Sequence, residues 1–229
     1  MNSGRLTDFM FRNRQEAGLK LANQLAKLDL REPVVLALPR GGIPVAVEIA
    51  RVLKAPIDLV IVRKVGAPRN PELAVAAIVD DNPPEVVLNR EIVETYGLDD
   101  AELRTLIDRE RPELERRRLA YRGRREPVSI TGKTAIVVDD GVATGTTMKV
   151  AIRALKRRSP REIIVAVPVS PPDSAAELAR EADRIVCLSQ PVRFHALGYY
   201  YRDFPQLSDE ELIAALRDPT PQGSAANAT

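Results

Sequence analysis

Between Ala135 and Thr147 the chain reads AIVVDDGVATGTT: four apolar residues run into two adjacent aspartates, then into a short Gly/Thr loop that opens a helix. An apolar run without polar alternation is a strand buried on both faces, which calls for a parallel sheet covered by helices. Asp139 and Asp140 at its carboxyl end would be desolvated at a cost unless a cation or hydroxyl donors met them. A sugar diol, with or without Mg²⁺, supplies such partners. Ala143, Thr144, Gly145, Thr146 and Thr147 then offer small residues, hydroxyls and the free N–H groups of a helix start, which make an anion nest. Together the two elements fit a sugar that carries a phosphate.

The same alternation of strand and helix extends through the chain. Ala17, Leu21, Leu25 and Leu28 recur at helical spacing and predict an amphipathic helix over about 12–28. Val34 to Leu38 reads as a short buried strand, Pro39 to Gly42 as a sharp loop, and Pro44 suits the first turn of a helix ending near Leu53. A second strand is expected from Leu59 to Arg63 and a Gly/Pro-containing loop from Val65 to Pro71. The strands Leu73 to Val79 and Val86 to Leu88 are expected to pair as a hairpin. Asp99 with Glu102 forms a capping box that opens a charged helix running to about Tyr121, which Pro112 is expected to kink or restart. After the helix Thr146 to Arg157 come a strand Ile163 to Val167, a loop Pro168 to Pro172, a helix from about Ser174, a strand around Cys187, and a capping box at Ser208 and Glu211. The expected fold class is α/β: a Rossmann-like parallel sheet flanked by helices, with a small helical and hairpin insertion, and ligands across the carboxyl ends of the strands.

With 229 residues, 45% of them hydrophobic, the chain can bury one sizeable core. The layout expected is a partly flexible segment 1–10, a domain over 11–217 with a helical insertion at about 89–126, and a disordered tail over 218–229. A net charge of +2 announces no nucleic-acid partner. The arginines 116, 117, 118, 122, 124 and 125 could meet phosphates, but glutamates interleave with them, as on a solvated helix face. The single cysteine, Cys187, excludes an internal disulfide and any multi-cysteine zinc site. The single histidine, His195, excludes most metal-ligand sets, and no G-x-S-x-G elbow accompanies it; it is read as a base contact or as a partly buried turn residue. Thr131-Gly132-Lys133-Thr134 ends like a Walker A loop, but Pro127 stands where its first glycine belongs. No apolar run approaches the ~20 residues of a membrane span, and no signal pattern opens the chain, so a cytoplasmic location is expected.

Two further loops are expected beside the aspartates. Pro39, Arg40, Gly41 and Gly42 can turn backbone N–H groups and a guanidinium toward a diphosphate. Lys64 and Arg69 flank a Gly/Pro loop suited to a semi-rigid lid that brings positive charge over a leaving group.

The stretch around Asp139 resembles the 5-phosphoribosyl-1-pyrophosphate (PRPP) motif of type I phosphoribosyltransferases. Ala37 to Gly42 resembles the diphosphate loop of that family, and Arg63 to Pro68 the strand end that leads into its mobile loop. The similarity, from Phe11 to Leu216, is to a bacterial subgroup whose acceptor is not identified. It implies that Asp139 and Asp140 hold the ribose 2′ and 3′ hydroxyls and that Ala143, Thr144, Gly145, Thr146 and Thr147 wrap the 5-phosphate. It implies that Pro39, Arg40, Gly41, Gly42, Lys64 and Arg69 hold the diphosphate, and that Arg40, Lys64, Asp139 and Asp140 serve the reaction. The cofactor implied is Mg²⁺, reaching Asp139 and Asp140 directly or through water; the partners implied are PRPP, a small-molecule acceptor and a second copy of the chain in a homodimer.

The resemblance implies transfer of the 5-phosphoribosyl group from PRPP to an acceptor such as a nucleobase, with release of diphosphate. Two alternatives stay open: a regulator that binds PRPP or nucleotides without turnover, and an enzyme that acts on the phosphoribosyl group without a base. Ala143 stands where 6-oxopurine members carry an aspartate, a local likeness to adenine-type members. Tyr199, Tyr200, Tyr201 and Phe204 either stack on a base or form an aromatic strand against the C-terminal helix.

Overall fold

The computed structural model describes residues 10–81, 83–123 and 125–217. Nearly all of the N-terminal segment expected to be flexible, and the whole tail over 218–229, lie outside the described residues. In chain order the elements are α1 (Arg14–Leu25), β1 (Val34–Ala37), α2 (Gly42–Leu53), β2 (Ile57–Leu59), β3 (Val62–Ala67), β4 (Asn70–Val79) and β5 (Glu85–Leu88). There follow α3 (Arg90–Tyr96), α4 (Asp100–Tyr121), β6 (Thr134–Val138), α5 (Thr146–Arg157), β7 (Glu162–Val169), α6 (Pro172–Ala179), β8 (Arg184–Ser189), a 3₁₀ turn (Leu197–Tyr200) and α7 (Asp209–Arg217).

Five strands form a parallel sheet in the order β2-β1-β6-β7-β8. Alternate residues of these buried strands feed two cores, as a pleat with period two requires. Val35, Ala37, Ile136, Val138, Ile164 and Ala166 pack with α1, α2 and Leu212 of α7. Val34, Leu36, Ala135, Val137, Ile163 and Val165 pack on the other face with Met148, Ile152 and Leu155 of α5 and Leu178 of α6. The fold class read from the sequence is the one observed.

A second sheet, antiparallel and ordered β3-β4-β5, stands beside the first. Its β4–β5 pairing is the predicted hairpin, but two expectations fail here. The apolar run from Leu59 to Arg63 is not one strand: β2 pairs with β1, Val60 and Ile61 cross over fully buried, and β3 pairs with β4. A run buried on every side carries no period to mark the break. Val65 to Pro71 is no open loop either, because β3 and β4 form a hairpin down to Ala67 and Asn70, with register shifts around Gly66. Such bulges let Gly and Pro sit inside a ladder, and a Cβ on Gly66 would come within 2.7 Å of the Pro71 backbone.

α4 opens with the predicted capping box at Asp99 and Glu102 and buries Leu103, Ile107, Leu114 and Tyr121 against β3, β4 and α7. It runs unbroken through Pro112, so the expected restart is absent. A proline costs the helix one hydrogen bond and a clash with the preceding turn, and packing of the residues on either side carries the helix through. α3, inside the expected helical insertion but not read there as a separate helix, is capped at Asn89 and buries none of its residues fully. At the end of α4, Arg122 is 5% exposed at its side chain and reaches Asp58 at 3.2 Å, Asp80 at 2.5 Å and the Leu59 carbonyl at 2.8 Å, tying the insertion to both sheets.

Candidate functional site

Strand order locates the crevice. From β1 the chain proceeds to β2 on one side, while β6, β7 and β8 build outward on the other, so the direction of winding reverses between β1 and β6. Open α/β sheets bind ligands outside the carboxyl ends of the strands at such a switch point. Pro39 to Gly42 leave β1 there, and Asp139 and Asp140 leave β6.

The two loops interlock. The Leu38 N–H donates to the Val138 carbonyl at 2.9 Å, extending the ladder to the crevice floor. A Cβ on Gly41 would overlap the Asp140 carboxylate, and one on Gly42 would come within 2.5 Å of the Val138 carbonyl oxygen. Both glycines are therefore required by close approach. The Gly42 and Ile43 N–H groups donate back to Leu38 and Arg40 within the turn at 3.0 and 3.2 Å.

The adjacent aspartates differ in environment. Asp140 is buried, and its Oδ2 accepts from Nε of Arg14 on α1 at 2.8 Å, an ion pair with 9% exposure on each side chain. Arg14 also donates to the Pro205 carbonyl at 2.9 Å and lies 3.7 Å over the Phe204 ring. The Tyr201 hydroxyl donates to the Asp140 carbonyl at 2.6 Å, and its ring stacks 4.9 Å from Phe204. Asp139 is only partly buried and accepts from the Asp140 N–H at 2.9 Å through Oδ1. Burial, reinforced by the Asp140 charge, pushes its carboxyl well above the ordinary range. Asp140 is thus ion-paired through one oxygen within the fold, whereas Asp139 has no ion-pair partner among the described residues. No pattern in the sequence links Arg14 to Asp140; α1 brings them together across the intervening chain.

Beyond the aspartates, Gly145 sits in the left-handed region at φ 72° and starts α5 with no side-chain cap. The first N–H groups of a helix have no partner within it, so those of Thr146, Thr147 and Met148 face the loop. Thr144 and Thr146 bring their hydroxyl oxygens to 3.3 Å, and Ser174 donates to the Ala143 carbonyl at 2.6 Å, pinning the loop. Ala143 to Thr147 form an anion nest next to the Asp139 carboxylate.

The basic residues divide. Arg40 does not turn into the crevice: it donates to the Leu207 carbonyl at 3.1 Å and pairs with Asp209 of α7 at 3.6 Å. Asp209 also accepts from the Tyr121 hydroxyl at 2.6 Å, so an acidic helix start has drawn the guanidinium away. Lys64 is exposed, has no ion-pair partner among the described residues, and lines a cavity together with Thr146 and Thr147. Arg69 lies exposed at the tip of the β3–β4 hairpin, outside that cavity and without an ion-pair partner among the described residues.

The other candidates lie apart in burial. His195 is exposed, 5.8 Å from the Tyr199 ring, instead of partly buried. The tyrosines form no strand: Leu197–Tyr200 is a 3₁₀ turn, Tyr199 is exposed, and Tyr201 is buried with Phe11 and Ala17 against the N-terminal helix. Cys187 is partly buried, and burial raises its thiol. Arg116, Arg117 and Arg118 pair with Glu113 and Glu115, as a solvated helix face does.

Among the described residues no three His, Cys, Asp or Glu side chains gather to hold a metal. Asp139 and the second oxygen of Asp140 are the carboxylate donors left at the strand end. Such a donor set suits a Mg²⁺ that brings waters and phosphate oxygens with it, not one caged by protein. Among the described residues no helix is long and apolar enough to cross a membrane.

Fold and crevice thus define a doubly wound α/β protein with an acidic strand end beside an anion nest. A family model, the phosphoribosyl transferase domain, matches residues 13–202, and the chain belongs to that family. It is 43% identical over 207 residues to "Putative phosphoribosyl transferase Rv0571c" of Mycobacterium tuberculosis (strain ATCC 25618 / H37Rv), and equally to the counterpart in strain CDC 1551 / Oshkosh. These alignments cover 90% of this chain and 46% of each relative, so the chain spans less than half the length of the curated relatives it matches. The crystal structure of TT1426 from Thermus thermophilus superposes with a TM-score of 0.80 at 43% identity, over 90% of this chain and 97% of that one.

Proposed function

We propose that the protein transfers the 5-phosphoribosyl group of PRPP to a small-molecule acceptor and releases diphosphate. The observation that carries this reading is the adjacency of Asp139, which has no ion-pair partner among the described residues, and an uncapped α5 N-terminus at the switch point of a parallel sheet. A ribose diol meets the first and its 5-phosphate the second. Loss of diphosphate from C1 leaves a carbon with oxocarbenium character, so the protein must hold both ends of the ribose, offset charge on the leaving group and exclude water; no covalent nucleophile is needed. Bound Mg²⁺ would supply positive charge to the leaving diphosphate, with Asp139 as a carboxylate ligand or as the partner of the ribose hydroxyls.

Backbone N–H groups of the Arg40-Gly41 turn border the place of the diphosphate, and Lys64 brings a mobile charge from β3. Each well-aimed donor to a developing oxyanion lowers the barrier by about 3 kcal/mol, whereas a phosphate at a helix terminus gains about 0.3–2 kcal/mol. Rate therefore comes from the diphosphate side and positioning from Thr144 to Thr147. Arg40 joins the first group only when it leaves Leu207 and Asp209.

The test is Mg²⁺-dependent diphosphate release from PRPP with and without a pool of purine and pyrimidine bases, followed by mass analysis. Release that requires the pool identifies the acceptor. PRPP binding without release under any acceptor would instead support a regulator.

A further inference from the structure

We propose that the cavity between the β3–β5 sheet and α5 is a second binding site, for a small organic anion with at least two phosphate or carboxylate groups and an apolar body of about nucleotide size. The cavity measures about 590 Å³, within the span of small-molecule sites. Four cations from three separate elements line it: Lys64 of β3, Arg90 of α3, and Lys149 and Arg153 of α5. Among the described residues Glu91 is its sole lining carboxylate. Lys149 pairs with Glu177, and Arg153 with Glu181 at 2.5 Å, while Lys64 and Arg90 have no ion-pair partner among the described residues.

Small and aliphatic side chains stand among the charges. Lys64, Ala77 and Val87 stand in register across the three strands and so share one face. Val150 lines the cavity from the opposing helix. Small side chains at the sheet centre leave room for a flat body, and the cations around it answer negative groups at its ends. Among the described residues no aromatic side chain lines the space, nor does either aspartate or any residue of the Pro39–Gly42 turn. The site adjoins the β1/β6 crevice and is centred away from its aspartates. It touches that crevice only through Lys64, Thr146 and Thr147, by which an occupant would sense a bound 5-phosphate.

Calorimetry of the full chain with ATP, inorganic tripolyphosphate and adenosine as probes tests this. ATP is expected to bind, tripolyphosphate to bind more weakly for want of an apolar body, and adenosine not to bind. Arg90→Ala and Arg153→Ala should each weaken ATP about tenfold and leave PRPP affinity unchanged. Asp139→Asn should weaken PRPP and spare ATP, which separates this site from the reading of the crevice. The proposal is overturned if no probe binds at millimolar concentration, if adenosine binds as well as ATP, or if ATP binding follows Asp139 and ignores Arg90 and Arg153.

Discussion

The two sheets are built in opposite ways. At the carboxyl edge of the parallel sheet every group is fixed: Gly41 leaves no room for a methyl beside Asp140, Asp140 is held by Arg14, and Arg14 is held in turn by Pro205 and Phe204. Across the way, the β3–β5 sheet presents small side chains ringed by cations. At the first edge, changes to Gly41, Asp140 or Arg14 come at a cost to folding. The second acts through charge and can be altered with the fold intact.

Arg14→Ala strikes the rigid edge hardest. It strands a buried carboxylate, and breaking such a pair costs about 3–5 kcal/mol; urea unfolding should show this, and a smaller loss in Arg14→Lys would place the effect on charge. Asp140→Asn should likewise destabilise, since Arg14 then loses its counter-charge. Gly41→Ala adds a methyl where the carboxylate already lies, and overpacking of this kind costs about 1–3 kcal/mol. If its melting midpoint matched that of the parent, the rigid edge would be softer than described.

On the charged side, Lys64→Ala should leave stability within about 0.5 kcal/mol while lowering the rate of diphosphate release; a combined loss of stability would erase the contrast between the sheets. The smallest effect belongs to the outer face of α4. Arg116 and Arg117 hold the Glu113 carboxyl down to about 2. A depressed carboxyl contributes stability above its unfolded value near 4.5 that is lost as pH falls through about 2. Because the pair is at the surface, Glu113→Gln should cost only about 0.2–1 kcal/mol at pH 7, and the difference should vanish in strong acid.

Periodicity and motif made the parallel half legible. Buried runs such as Val34 to Leu38 and Ala135 to Val138, the glycine turn after the first and the capping boxes at Asp99 and Ser208 each announce their element locally. The hairpin half was harder to read, because Val60 and Ile61 serve both sheets and Gly66 and Pro71, usual marks of a loop, are accommodated by bulges. Roles set by distant partners left no local trace. Arg14 resembles any helical arginine until α1 is placed beside β6, and Arg40 is drawn toward α7 by an aspartate far along the chain.

The most direct test of the account is PRPP affinity, measured by calorimetry, in the parent chain, Asp139→Asn and Arg69→Ala. A loss of tenfold or more in Asp139→Asn, with a smaller loss in Arg69→Ala, is the predicted result, because Asp139 lies at the strand end assigned to the ribose and Arg69 at the exposed hairpin tip. Equal affinity in the parent chain and Asp139→Asn would contradict the assignment of the ribose to the end of β6.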